Sequence, residues 1–111
     1  MLDAFTSGIK SLNKEIIYVG LVPTDIVYSL SGLLNKPGAI ITASHNPKNY
    51  NGLKLCNAGA IPIGENSGLK DIKKLANTII DIYVEEFENN DKYEVSEYYL
   101  SILQEFLPHY K

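Results

Sequence analysis

"GAIITASHNPKNYNGLKLC", residues 38–56, decides how this chain is built. Gly38–Thr42 is a short apolar, β-branched run that suits a buried strand. Ser44 follows at its end, and Pro47 fixes its own φ while biasing Asn46 toward an extended backbone, so the serine sits on a stiff turn. Asn51-Gly52 permits a tight reversal. "GLKLC" (52–56) then alternates and predicts a strand returning antiparallel to 38–42, carrying Lys54. Such a hairpin brings the Ser44 hydroxyl, His45 and Lys54 around one anion.

Upstream, "EIIYVG" (15–20) reads as a second buried strand. Between the two strands, Thr24 is placed to cap a helix with Ile26, Val27, Leu30, Leu33 and Leu34 on one face, stopped by Asn35 and Pro37-Gly38. Strand, helix and strand make a βαβ unit, which implies parallel pairing in a sheet covered on its faces. Ligands gather at the carboxyl ends of such strands, where Ser44 lies. Leu2, Phe5, Ile9 and Leu12 predict a helix over 2–13 with no strand before it.

Downstream, Leu69, Ile72, Leu75, Ala76, Ile79, Ile80 and Tyr83 predict a long helix with Asn66 or Ser67 as its cap. Residues 1–83 are then one domain, with 84–95 an acidic linker and 96–111 a last helix carrying Tyr99, Ile102, Leu103 and Phe106 toward a further domain. The expected fold is three-layer α/β/α with a small mixed sheet.

At 111 residues and a formal charge of -3, with scattered basic residues, the chain is a single acidic domain without a nucleic-acid footprint. Cys56 has no partner for an internal disulfide, the N-terminus does not begin a signal peptide, and no apolar run is long enough for a bilayer. A soluble cytoplasmic protein is expected. All ten basic residues are lysines, so the two-pronged arginine grip favoured at phosphate sites is missing.

Thr42–Pro47 and Tyr50–Lys54 closely resemble the phosphoserine loop of the α-D-phosphohexomutases, which reads Thr-Ala-Ser-His-Asn-Pro and then Tyr-Asn-Gly-X-Lys. "VGLVPTDIVYSL" (19–30) is similar to that family's second strand and helix, and "NGLKLCNAGAIPIGENSGLKDIKKLA" (51–76) looks most like its phosphomannomutase branch. Thr24-Asp25, where many members have Thr-Pro, leans the same way.

The resemblance implies that Ser44 carries a phosphoryl group between the two hydroxyls of a hexose phosphate, through a hexose 1,6-bisphosphate that reorients between transfers. His45 and Lys54 match positions that contact the phosphate or move the proton, and either is open as the general base. Thr42, Asn46, Pro47, Tyr50, Asn51 and Gly52 are implied as phosphate- or loop-supporting residues. Mg²⁺ is implied too, bridging the Ser44 phosphate and an Asp-Gly-Asp loop on the following domain. Here Asp3, Asp25, Asp71, Asp81 and Asp91 stand singly, so the other ligands are not in these 111 residues.

On the same basis the chain corresponds to the first of four domains, without its opening strand, and its partners are a phosphosugar and the remaining domains. In the family's strand order of 2-1-3-4, strands 15–20 and 38–42 would flank an empty slot. The expectation is that they pair directly or take a strand from a second copy. Phosphoglucomutase and phosphoglucosamine mutase remain alternatives, as does an inactive truncated domain or interaction module.

Other features carry less. "GENSG" (64–68) resembles a sugar-reading loop of the family's third domain but stands before a helix, where small polar residues serve as caps. Cys56 reads as a small core residue, and His109 as a solvated side chain in a polar tail. Tyr83 and Tyr99 suit cover for the sheet or a neighbouring domain. A Ser-His hydrolase is disfavoured, because adjacent side chains seldom face each other for proton transfer and the nucleophile-elbow glycines are absent.

Overall fold

The computed structural model describes residues 1–79, 83–88 and 101. Helix α1 spans Leu2–Ser11, one turn-end short of the predicted boundary. Leu12, the next apolar residue of the pattern, is 68% exposed, so no core holds a further turn. Thr6, buried on this helix, donates its hydroxyl to the Leu2 and Asp3 carbonyls at 2.9 and 3.1 Å, which satisfies it within its own turn.

Residues 15–20 do not form the predicted strand. Strand character requires a ladder partner, and no described segment pairs with this one. It is attached by side chains: Val19 packs with Val22 and Leu34 against buried Ile26 and Leu30. Tyr18 meets the Phe87 ring edge-on at 5.2 Å. The parallel βαβ pairing is therefore not formed, and the described sheet is antiparallel throughout.

Helix α2, Thr24–Leu34, follows the predicted span, but Thr24 is its first helical residue. Pro23 holds the cap position, where its fixed φ of -59° suits chain entry and no side chain bonds the free N–H groups. Asn35 ends the helix at φ 49°, ψ 48°, a left-handed conformation asparagine tolerates.

The sheet has the order β1-β2-β3, with β1 at Gly38–Ile41, β2 at Leu53–Asn57 and β3 at Ile61–Pro62. Gly38 pairs with Cys56, Ile40 with Lys54 and Ile41 with Leu53, as the hairpin reading requires. Strand β3 was not anticipated; two residues are too few for a period-2 pattern. Helix α2 packs on β1 and β2. A Cβ on Gly38 would lie 2.9 Å from Cys56 Sγ and 3.1 Å from Val27 Cγ1, so glycine is what lets helix and sheet approach.

Ser31 fastens this packing. Its buried hydroxyl lies 2.6 Å from the Lys36 carbonyl and 3.1 Å from that of Asn57, and accepts the Ala60 N–H at 3.2 Å. The end of α2 is thereby tied to the β2–β3 turn.

A 3₁₀ turn over Glu65–Ser67 leads into helix α3, Leu69–Ala76. Neither Asn66 nor Ser67 caps it: Gly68 occupies that position at φ 129°, and Ser67 Oγ instead accepts the Gly64 N–H at 2.7 Å. The helix is shorter than expected; Leu75 is 66% and Ile79 56% exposed, so its apolar stripe has no described surface to pack on.

The start of the predicted linker is docked on α1. Glu85 N–H donates to Ser7 Oγ at 2.9 Å and Phe87 N–H to Asp3 Oδ1 at 3.0 Å, while Lys10 Nζ lies 5.3 Å from the Phe87 ring centre. The rest of the linker and, Ser101 aside, the last helix lie outside the described residues. No helix among the described residues is long and apolar enough to cross a membrane.

Candidate functional site

The connection from β1 to β2 is clamped where it leaves the sheet. Thr42 N–H donates to the Gly52 carbonyl at 2.9 Å, adding a rung beyond the Ile41–Leu53 pair. A Cβ on Gly52 would stand 2.5 Å from the Thr42 carbonyl oxygen, which no side chain tolerates. Between these ends the loop bonds to itself. Asn46 donates its backbone N–H and its Nδ2 to the Ala43 carbonyl at 3.0 and 3.1 Å, and Tyr50 N–H reaches the Pro47 carbonyl at 2.9 Å.

Ser44 stands at the apex in a left-handed backbone, φ 51°, unusual for a residue with a Cβ. Its N–H donates to Thr42 Oγ1 at 3.0 Å, and its hydroxyl makes no hydrogen bond among the described residues. Ser44, His45, Asn46, Pro47, Tyr50 and Asn51 are all exposed. A free nucleophilic hydroxyl is thus carried on a turn whose backbone is constrained.

Lys54 lies on β2, opposite Ile40, and is exposed. Strand alternation puts it on the same sheet face as Cys56. No hydrogen bond joins Ser44, His45 and Lys54 to one another among the described residues. The Ser-His hydrolase geometry, which needs the imidazole bonded to the hydroxyl, is not made. Residues 38–57 contain no carboxylate and include Lys48 and Lys54, so this hairpin is locally cationic in a chain of net charge -3. That polarity favours an anion near the serine.

A groove of about 460 Å³ lies elsewhere, lined by Lys10, Tyr83, Val84, Glu85, Glu86 and Glu88. None of the loop residues faces it, and three glutamates make it a poor anion site. Cys56 is buried, as a core residue would be. Among the described residues no group of three or more His, Cys, Asp or Glu side chains is placed to hold a metal ion. What the sequence reading missed is the left-handed backbone of Ser44 and the hydroxyl that holds it. The Thr-X-Ser spacing, which allows a side-chain oxygen to take the N–H two residues on, was the available clue.

Comparison with known proteins bears on the domain as a whole. Residues 1–82 match the family profile of phosphoglucomutase/phosphomannomutase, alpha/beta/alpha domain I. A phosphomannomutase of Klebsiella pneumoniae is 40% identical over 74 residues, 66% of this chain and 47% of the relative. One from Escherichia coli is 38% identical over 74 residues, 66% of this chain and 16% of the relative. A Vibrio cholerae phosphomannomutase is 36% identical over 85 residues, covering 74% of this chain and 18% of the relative. The chain thus spans less than half the length of each of these relatives. No solved structure matches it. The chain belongs to the phosphoglucomutase/phosphomannomutase family, and its α/β/α fold is that of the family's domain I.

Proposed function

We propose that this chain supplies the phosphoserine-bearing domain of a phosphohexomutase, with mannose phosphates as the preferred substrates. The observation that carries the reading is Ser44: an exposed hydroxyl, unpaired among the described residues, on a left-handed residue at the end of β1, inside a loop clamped by Thr42 and Gly52. The names of the relatives, phosphomannomutases among them, support the choice of sugar.

In the reaction, the phosphoryl group on Ser44 Oγ passes to the free hydroxyl of a hexose 6-phosphate or 1-phosphate. The Ser44 O–P bond breaks and a sugar O–P bond forms, while a general base takes the proton of the sugar hydroxyl and the departing Ser44 Oγ takes up a proton in its place. The resulting hexose 1,6-bisphosphate reorients and returns its other phosphoryl group to Ser44 Oγ. Catalysis of such a transfer rests on alignment and fixed positive charge more than on covalent chemistry. Lys54 and His45 are the cationic or proton-moving groups this chain offers. Lys48 adds charge to the same loop.

Magnesium is the cofactor proposed for the complete enzyme, with Ser44 contributing a phosphoryl oxygen to it. The described residues do not make the rest of its coordination sphere. With neither that sphere nor an arginine, the 111 residues by themselves are expected to show no measurable steady-state mutase turnover, single transfers at Ser44 being slow. The functional test is discharge: the chain prepared with phosphoserine at position 44 is mixed with mannose 6-phosphate, and a slow transfer yielding mannose 1,6-bisphosphate is expected. Phosphoserine that outlasts the incubation, with no bisphosphate formed, would refute the reading.

A further inference from the structure

We propose that Thr42 is a positioning residue for the phosphoryl-accepting serine, a role that rests on the reading of Ser44 above. Its hydroxyl oxygen holds the Ser44 N–H and so keeps Ser44 in the left-handed backbone that presents Oγ. Ser44 sits at φ 51°, a region that residues bearing a Cβ resist. Among the described residues its N–H has one partner, Thr42 Oγ1 at 3.0 Å.

Thr42 is fit for this because it is itself fixed. Its N–H is bound to the Gly52 carbonyl at 2.9 Å, the last rung between the two strands. Its own carbonyl lies where a Cβ on Gly52 would approach to 2.5 Å, so the backbones of 42 and 52 are in close contact. A β-branched side chain on that backbone has few rotamers, and the hydroxyl therefore stays where the Ser44 N–H can find it. The sheet register is transmitted through one oxygen to the residue that reacts. Having accepted one proton, that oxygen still has its own to donate, and the Ser44 phosphoryl group would be within the same turn.

Replacing the hydroxyl by a methyl removes the acceptor and keeps the shape. In Thr42→Val, Ser44 loses the N–H partner it has among the described residues and relaxes toward negative φ, carrying Oγ away from the approach line. Thr42→Ser keeps the acceptor and restores the geometry.

The test is made on the ¹⁵N-labelled chain. Ser44 amide exchange and its HN–Hα coupling are followed by NMR, and phosphoryl uptake from glucose 1,6-bisphosphate by intact mass. In Thr42→Val, exchange at Ser44 should quicken about 10-fold, as for loss of one hydrogen bond. The coupling should move off its wild-type value, and uptake should slow about 10- to 100-fold, as expected when a reacting group is misplaced. Thr42→Ser should return all three to near wild type.

Unchanged coupling and exchange in Thr42→Val would overturn the role, as would wild-type uptake in that variant. If the wild type itself takes up no phosphoryl group, the reading of Ser44 falls, and the coupling and exchange at Ser44 still decide the role of Thr42. Should Thr42→Val fail to fold, the double variant T42V/S44G is decisive: glycine adopts positive φ unaided, so recovery of folding supports the role and continued failure refutes it.

Discussion

Ser44 and Gly52 divide the labour of the loop, one carrying the chemistry and the other the close approach that sets it. Ser44 is exposed and its hydroxyl unbonded, so Ser44→Ala in the complete enzyme should leave the fold intact while turnover falls on the order of 10⁴-fold or more. A steady-state assay beside a circular dichroism melt checks both halves, and unchanged turnover would remove Ser44 from its role. Gly52→Ala is the structural counterpart. Its new Cβ would fall 2.5 Å from the Thr42 carbonyl, and relieving that contact should cost about 1–3 kcal/mol, read as a lower denaturation midpoint at constant m. A midpoint equal to wild type would mean that the two backbones are further apart than described. Much of this was legible: Ser44, His45, Pro47, Asn51-Gly52 and Lys54 were placed by their turn chemistry. The sign of φ at Ser44 was not, because it depends on which side-chain oxygen takes an N–H two residues away.

Among the elements, the stop of α2 and the hairpin register matched expectation, whereas the two predicted N-caps and the segments needing a remote partner did not. Helix α2 ended at Asn35 and the β1–β2 register followed from the hairpin, since caps and turns act over a few residues. Residues 15–20 failed as a strand because β-branched composition records a preference for a pleated neighbour and cannot supply one. The shortness of α3 has the same origin: its apolar spacing is real, but Leu75 and Ile79 face solvent, and amphipathic helices draw most of their stability from packing. Ser31 links α2 to the sheet through its side chain. Ser31→Ala should cost about 1 kcal/mol by leaving the Ala60 N–H and a neighbouring carbonyl without their partner in a partly buried place. Urea unfolding of the variant measures this, and a loss indistinguishable from zero would assign the α2–sheet contact to apolar packing alone.

For the molecule as a whole, the open edge of β1 is the main consequence of the unpaired 15–20 segment. Thr42 N–H points toward β2, so by alternation Ile40 N–H does too, while the Ala39 and Ile41 N–H groups face the free edge. Free edges of this kind recruit strands from other copies. Light scattering of this chain should therefore show mass rising with concentration, with the Ala39 and Ile41 amides gaining protection in step. A monomer at every concentration, with those two amides fast and Ile40 slow, would show that the edge stays open. The central claim, that Ser44 carries the phosphoryl group of a hexose phosphate mutase, is tested most directly by intact mass and peptide mapping of the chain after long incubation with excess mannose 1,6-bisphosphate and magnesium. A gain of one phosphoryl group is expected, located on Ser44 and absent in Ser44→Ala; no gain, or a gain on another residue that persists in Ser44→Ala, would contradict that role.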